Sequence, residues 1–228
     1  MKQRPSFSWK AFWILVYIVL SLGCFAAILI IPATREIFKL LSSAHPYMMG
    51  FIKFAFLATA GELLAMRLAK EKWELPSYVW ARFLIWGVIG VWITYMMKVF
   101  AAGVDVLMVQ NLLPSSQNAI FNSFLKAFFI SATMNLSFGP TFMALHKCSD
   151  TYLDMRASGY KKLNVKNVVR NVDWRKFATF TILKTVPLFW IPAHTVTFML
   201  PAEYQVAAAA LLSVALGIIL NIKRNKNQ

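Results

Sequence analysis

Four ionisable residues fall inside stretches that are otherwise apolar: Glu62, Lys126, Lys184 and His194. A charged group in lipid is costly and normally faces a partner or a water-filled cavity. One acid among several lysines would make a basic path between helices, which favours anions. The competing arrangement is a structural Glu62–lysine pair, or a Glu62 that keeps its proton. A second set, His146, Asp150 and Asp154, recurs every four residues and shares one face if helical. That spacing could serve a metal or a general base. No second ligand set and no nucleophile accompanies it, so an interfacial charge cluster is the simpler reading. No cofactor or metal site is expected.

The surrounding elements decide what these residues can do. The chain has 228 residues, 59% hydrophobic and 14% charged, with mean hydropathy +0.58. A soluble domain carries roughly 45–50% apolar and about 25% charged residues. Both departures point to a polytopic membrane protein. The net charge of +15 does not argue for nucleic acid. The basic residues cluster between apolar stretches, as topology signals do. Cys24 and Cys148 fall at different membrane depths, so no mutual disulfide is expected.

Six spans of roughly 20 mostly apolar residues are predicted: 11–32, 48–70, 79–101, 119–144, 177–200 and 204–222. The fold class is therefore all-α, a polytopic transmembrane helix bundle forming one membrane domain. The first apolar run, Ala11 to Pro32, exceeds the h-region of a signal peptide, about 7–15 residues, and reads as a retained span. Basic residues concentrate on one side: Lys2, Arg4 and Lys10; Arg67, Lys70, Lys72 and Arg82; eight between 147 and 176; and Lys223, Arg224 and Lys226. The opposite connections hold only Arg35 and Lys39. The positive-inside rule then puts both termini in the cytoplasm.

Segment 145–176 reads as a basic cytoplasmic loop. Tyr152, Leu153, Met155, Leu163, Val165, Val168 and Val169 interleave with its lysines and arginines, as in an interfacial helix attracted to anionic lipid. The plain alternative is an ordinary basic loop obeying the topology rule.

Five spans carry a small or polar stripe at helical spacing. The second has Ala55, Ala58, Glu62, Ala65 and Ala69; the third Gly87, Gly90, Thr94 and Lys98. The fourth has Asn122, Lys126, Thr133 and Ser137; the fifth Thr181, Lys184, Ile191 and His194 or Thr195; the sixth Ala210, Ser213, Gly217 and Asn221. Such stripes are first of all packing surfaces. Lys53 and Lys98, near outer ends, are expected to snorkel. The uniformly apolar first span is expected at the periphery.

The stretch FWIPAHTVTFMLPAEYQ, followed by an apolar helix ending in IKRNK, resembles the C-terminal pattern of the Mpv-seventeen and peroxisomal membrane protein (twenty-two kilodalton) family. Trp190, Pro192, Phe198, Pro201 and Tyr204 carry the likeness, with DWRKF at 173–177, His45–Pro46 and Gly61–Glu62 upstream. Ile191 separates the tryptophan from the proline that the family places adjacent. Thr197 stands for an asparagine, Gln205 for an arginine and Glu62 for an aspartate. The family's Gly-Pro motif has two counterparts here, Gly139–Pro140 and the Gly90 region, and the first span is additional to a four-span core. The resemblance implies a multi-span membrane protein of an organelle or a bacterium, with no enzymatic activity. Members of the family are thought to form channels or to support metabolite and membrane homeostasis.

The N-terminus lacks an Arg- and Ser-rich amphipathic transit segment, so a bacterial plasma membrane is expected before a mitochondrial inner or peroxisomal membrane. Partners are the lipid bilayer and, as an option, a second copy of the chain. The first functional expectation is a channel or small-solute transport protein, with Glu62, Lys126, Lys184 and His194 on the path. The alternative is a non-conducting structural or homeostasis protein in which the same residues form buried pairs. A membrane-embedded enzyme on His146, Asp150 and Asp154 ranks third. His194, one turn from the outer boundary, suits a hydrogen-bonded or mouth-lining role better than a proton relay.

Overall fold

A computed structural model describes residues 9–70 and 74–225, with side chains except at 10, 69, 70 and 217–225. Lys2, Arg4, Lys72 and Lys226, used above for topology, lie outside it, as do the side chains of Lys10, Ala69, Lys70, Gly217, Asn221, Lys223 and Arg224. Among the described residues every element is helical. The helices are α1 (Trp9–Ile30), α2 (Pro32–Ala44), α3 (Pro46–Lys53), α4 (Thr59–Lys70), α5 (Val79–Val109), α6 (Ala119–Ala157), α7 (Val165–Asn171), α8 (Trp174–Lys176), α9 (Ile191–Met199) and α10 (Ala202–Asn225). Two π-helical stretches, Phe54–Ala58 and Phe177–Trp190, join α3 to α4 and α8 to α9.

Four helical runs are long and apolar enough to cross a membrane: Ala11–Ile30, Pro46–Leu68, Val79–Val109 and Ala119–Ala157. The run 177–199 has the length, but five threonines, two prolines and Lys184 dilute its apolarity. The described apolar part of α10, Ala202–Leu216, is shorter. Large apolar side chains such as Val88, Leu136, Leu183 and Leu188 remain exposed. Bare in water, such surface would drive association; against lipid it is at rest. The helices are thus compatible with an integral membrane protein.

The third and fourth expected spans run past their predicted ends at 101 and 144. Charge does not stop a helix; a left-handed cap does. Asn111 (φ 58) follows α5, with Leu112 N bonded to Leu107 O and Asn111 N to Met108 O. Gly159 (φ +76) follows α6, with Tyr160 N on Met155 O and Gly159 N on Arg156 O. Both are Schellman endings. At about 1.5 Å per residue, α6 is about 58 Å long, well beyond a hydrocarbon core of about 30 Å. Residues 145–157, expected in the loop, are its last turns. The connection between the first two expected spans is also helical: α2 starts on Pro32, the residue type suited to a first turn.

Two compact units divide the chain: Met1–Val91 with Val206–Gln228, and Trp92–Gln205. In the first, Ile14 and Ile18 of α1 pack on Ala60 and Leu63 of α4. The rest of α1 is mostly exposed, in keeping with a peripheral span. Small residues permit the close approaches. A Cβ on Gly61 would meet the Ser213 and Val214 side chains of α10, and one on Gly90 would meet the Gly50 carbonyl of α3. In the second unit, α6 buries Ala127, Ile130, Ser131, Met134, Asn135 and Phe138 on the face that receives α9 and the π-helix before it. Near the end of α6, Leu153 and Met155 are buried, as are Val168 of α7 and Val172, while Val165 and Val169 stay exposed.

Candidate functional site

In the first unit α4 presents Glu62 to one face of α5. Arg82 and Trp86 lie one helical turn apart on α5 and aim two donors the same way. Arg82 Nη1 reaches Glu62 Oε1 at 3.1 Å and Trp86 Nε1 donates to Glu62 Oε2 at 2.7 Å. The pair is largely buried, with side-chain exposures of 7% for Arg82 and 18% for Glu62. Arg82 Nε also donates to the Ser77 carbonyl at 3.3 Å, which fixes the guanidinium from the chain before α5. Each carboxylate oxygen therefore has its own donor, a charge-assisted arrangement. The partner of Glu62 is this arginine rather than a lysine. Arg82, assigned above to a cytoplasmic connection, sits in the first turn of α5 with its charge matched.

Lys53 does not snorkel. It is buried, donates to Ser42 Oγ at 2.8 Å, and lies 4.4 Å from the centroid of the Phe38 ring. Both partners come from α2, whose helical form brings Phe38 and Ser42 onto one face at i and i+4. A cation over a ring face gains the attraction of the ring quadrupole.

In the second unit the polar residues form separate groups. Lys126 Nζ pairs with Asp105 Oδ1 at 2.6 Å, with both side chains near half exposed, 43% and 51%. Lys184 is exposed on its π-helix, as is Lys98 on α5. Thr133 and Ser137 also point outward, while Asn122 and Lys126, the rest of the expected polar stripe of the fourth span, are partly exposed. The buried polar face is Ser131 and Asn135, one turn apart. Ser131 Oγ donates to Ile191 O at 2.7 Å, and Asn135 Nδ2 donates to Ser131 O at 2.8 Å. Asn135 meets His194: its Nδ2 is 3.0 Å and its Oδ1 3.1 Å from His194 Nδ1. The amide thus serves either imidazole tautomer. Trp190 stacks on the His194 ring at a centroid distance of 5.4 Å.

The FWIP stretch is where π turns give way to α. The π-helix runs 14 residues to Trp190, far longer than the usual single turn. Pro187 and Pro192 lack an N–H, and Thr185 Oγ1 reaches back five residues to Phe180 O at 3.1 Å. Ile191 O, at the change of register, receives both Ser131 Oγ and Thr195 Oγ1, the latter at 2.8 Å. Phe198 is buried. Pro201 ends the helix and its carbonyl accepts from Tyr204 N at 3.0 Å. Gln205 Nε2 caps the Leu200 carbonyl at 2.9 Å.

On α6, His146 Nδ1 lies 3.3 Å from Asp150 Oδ2, and Asp154 is exposed one turn further on. Among the described residues no group of three or more His, Cys, Asp or Glu is placed to hold a metal ion. Cys24 and Cys148 are free thiols.

Sequence reasoning missed Arg82, Trp86, Asp105, Ser131 and Asn135. The signal for the first two was present, a donor pair at i and i+4 in an apolar helix. Ser131 and Asn135 have the same spacing, with Asn135 set among apolar residues and no more prominent than the polar residues beside it. Asp105 lay beyond the expected end of its span. No protein-family model, curated protein or solved structure matches the chain.

Proposed function

We propose that this chain is a non-conducting structural or homeostasis protein of the membrane, in which intramembrane charges lock helices together. The observation that carries the reading is Glu62, whose two oxygens are taken by Arg82 and Trp86. A carboxylate lining an ion path faces water, whereas the Glu62 side chain is 18% exposed with a donor on each oxygen. Lys53 and Lys126 likewise each have a partner within the protein. The likeness to the Mpv-seventeen family supports a homeostasis role, and the charge asymmetry supports six spans with cytoplasmic termini.

Reconstitution into liposomes tests this. The expected outcome is no flux of chloride, potassium or small organic anions above that of empty vesicles at any imposed potential. Conductance that changes in Glu62→Gln or Lys126→Met would overturn it in favour of a channel. One observation favours that second reading: Ser131, Asn135 and His194 set a line of polar groups between α6 and α9.

A further inference from the structure

Between α6 and the run 177–199 the chain carries six basic residues, Lys161, Lys162, Lys166, Arg170, Arg175 and Lys176, all exposed. Asp173 is the one acid among residues 160–176, and its Oδ1 accepts from Lys176 N at 2.8 Å. Such an excess of charge satisfies the topology rule without touching anything. The arrangement on α7 goes further. Val168, and Val172 just past the helix, are buried, and α7 packs on α6. Val165 and Val169, one turn apart, form a second edge that is exposed, at 80% and 39%. Lys166 and Arg170 follow them about 100° further round the helix. An apolar edge and a basic edge thus lie side by side, both exposed.

Trp174 sets the depth of these edges. Its Nε1 donates to Val169 O at 2.8 Å, which ties the indole to the end of α7. The same residue stands just before the run 177–199, and its ring meets that of Phe177 edge-on at 5.6 Å. A tryptophan at the end of an apolar run marks the boundary between acyl chains and headgroups. Helix α7 is therefore held at that level. There the valines reach the ends of acyl chains, while lysine and arginine stems extend to the phosphates. A nucleic acid would match the charge of this surface but leave the valines in water.

We propose that α7 is a docking surface for anionic phospholipids of the bilayer in which the chain resides. Val165 and Val169 enter the acyl boundary, and Lys166 and Arg170 take the headgroup phosphates. Near an anionic surface each lysine or arginine is worth about fivefold in partition, so two suffice for a measurable preference. The surface rests on the chain's residence in a bilayer and is independent of whether the chain conducts.

The test is fluorescence quenching by labelled lipid. In a background of Cys24→Ser and Cys148→Ser, the full chain carries a nitrobenzoxadiazole fluorophore on Val165→Cys. The control carries it on Leu136→Cys, an exposed position of α6. Phosphatidylcholine nanodiscs contain a minor fraction of doxyl-labelled phosphatidylglycerol in one arm and the same fraction of doxyl-labelled phosphatidylcholine in the other. At Val165→Cys the phosphatidylglycerol should quench at least threefold more strongly, whereas at Leu136→Cys the two lipids should quench equally. Lys166→Gln with Arg170→Gln, both exposed, should cut the preference by half or more. A purely topological role for these charges gives no dependence on the headgroup. Equal quenching by both lipids at Val165→Cys, or a preference untouched by the double variant, would overturn the anionic-lipid surface. Quenching at Leu136→Cys alone would put α7 in water, overturning the surface and leaving the membrane reading standing. In that event, a labelled RNA that binds the discs and is released by the double variant would give the patch to nucleic acid. An absence of quenching at both positions would overturn the surface and the membrane reading together.

Discussion

At the scale of single residues, a charge in this molecule is defined by what stands opposite it. Glu62 and Arg82 engage each other in a largely buried setting, so removing Glu62 takes that carboxylate from the guanidinium. Breaking such a pair typically costs about 3–5 kcal/mol, whereas replacing both members is often nearly neutral. Glu62→Gln should therefore lower the thermal midpoint in detergent by several degrees. The double variant Glu62→Gln with Arg82→Gln should regain part of that loss, and a double-mutant cycle on melting data reads the coupling directly. At the other polar centre the stakes are smaller. Interhelical hydrogen bonds in membranes are worth roughly 0.6 kcal/mol on average and about 1.7 at most. Asn135→Leu should then destabilise by about 1 kcal/mol, and His194→Phe, which keeps a ring against Trp190, by no more.

At the scale of helices, apolar runs identified the elements, and backbone chemistry decided where they end. The runs starting near 11, 48, 79 and 119 were legible because each is long and mostly apolar. Their ends were not, because a helix continues through polar residues until something turns the backbone, as Asn111 and Gly159 do. Helix α2 was hidden by its shortness and its charges. The choice of face on α6 was also hidden. Thr133, Ser137, Ser131 and Asn135 are all polar at helical spacings, and only the partner helix distinguishes the inward pair from the outward one. Small residues can be separated in the same way. Gly90→Ala should reduce stability by about 1–3 kcal/mol, because the Gly50 carbonyl occupies the methyl's place. Gly23→Ala and Gly103→Ala, with open space at the corresponding position, should leave the melting temperature unchanged or slightly raised. Chemical denaturation of the three variants in one detergent makes the comparison.

At the scale of the whole molecule, topology is the property that orders all others. In the proposed six-span arrangement, the connection 110–118 and the turn at Ser158 lie on opposite sides of the membrane. In a background of Cys24→Ser and Cys148→Ser, cysteines at Ser115 and Ser158 should differ in reaction with an impermeant maleimide added to intact cells. Ser115→Cys should label from outside and Ser158→Cys only after lysis. Equal labelling of both before lysis would remove the six-span arrangement.

The contact of Gly61 with Ser213 and Val214 bears on how the protein is made. About 150 residues separate the two sides of that contact, and the first unit is closed by the chain's final helix. At about 5–20 residues per second, a ribosome delivers the second side roughly 8–30 s after the first. During that interval the α4 surface around Gly61 has to be sheltered by lipid, by the insertion machinery or by a chaperone. A stop codon placed before Ala202 should accordingly yield an inserted chain that is degraded faster than the full-length one, whatever the state of its second unit.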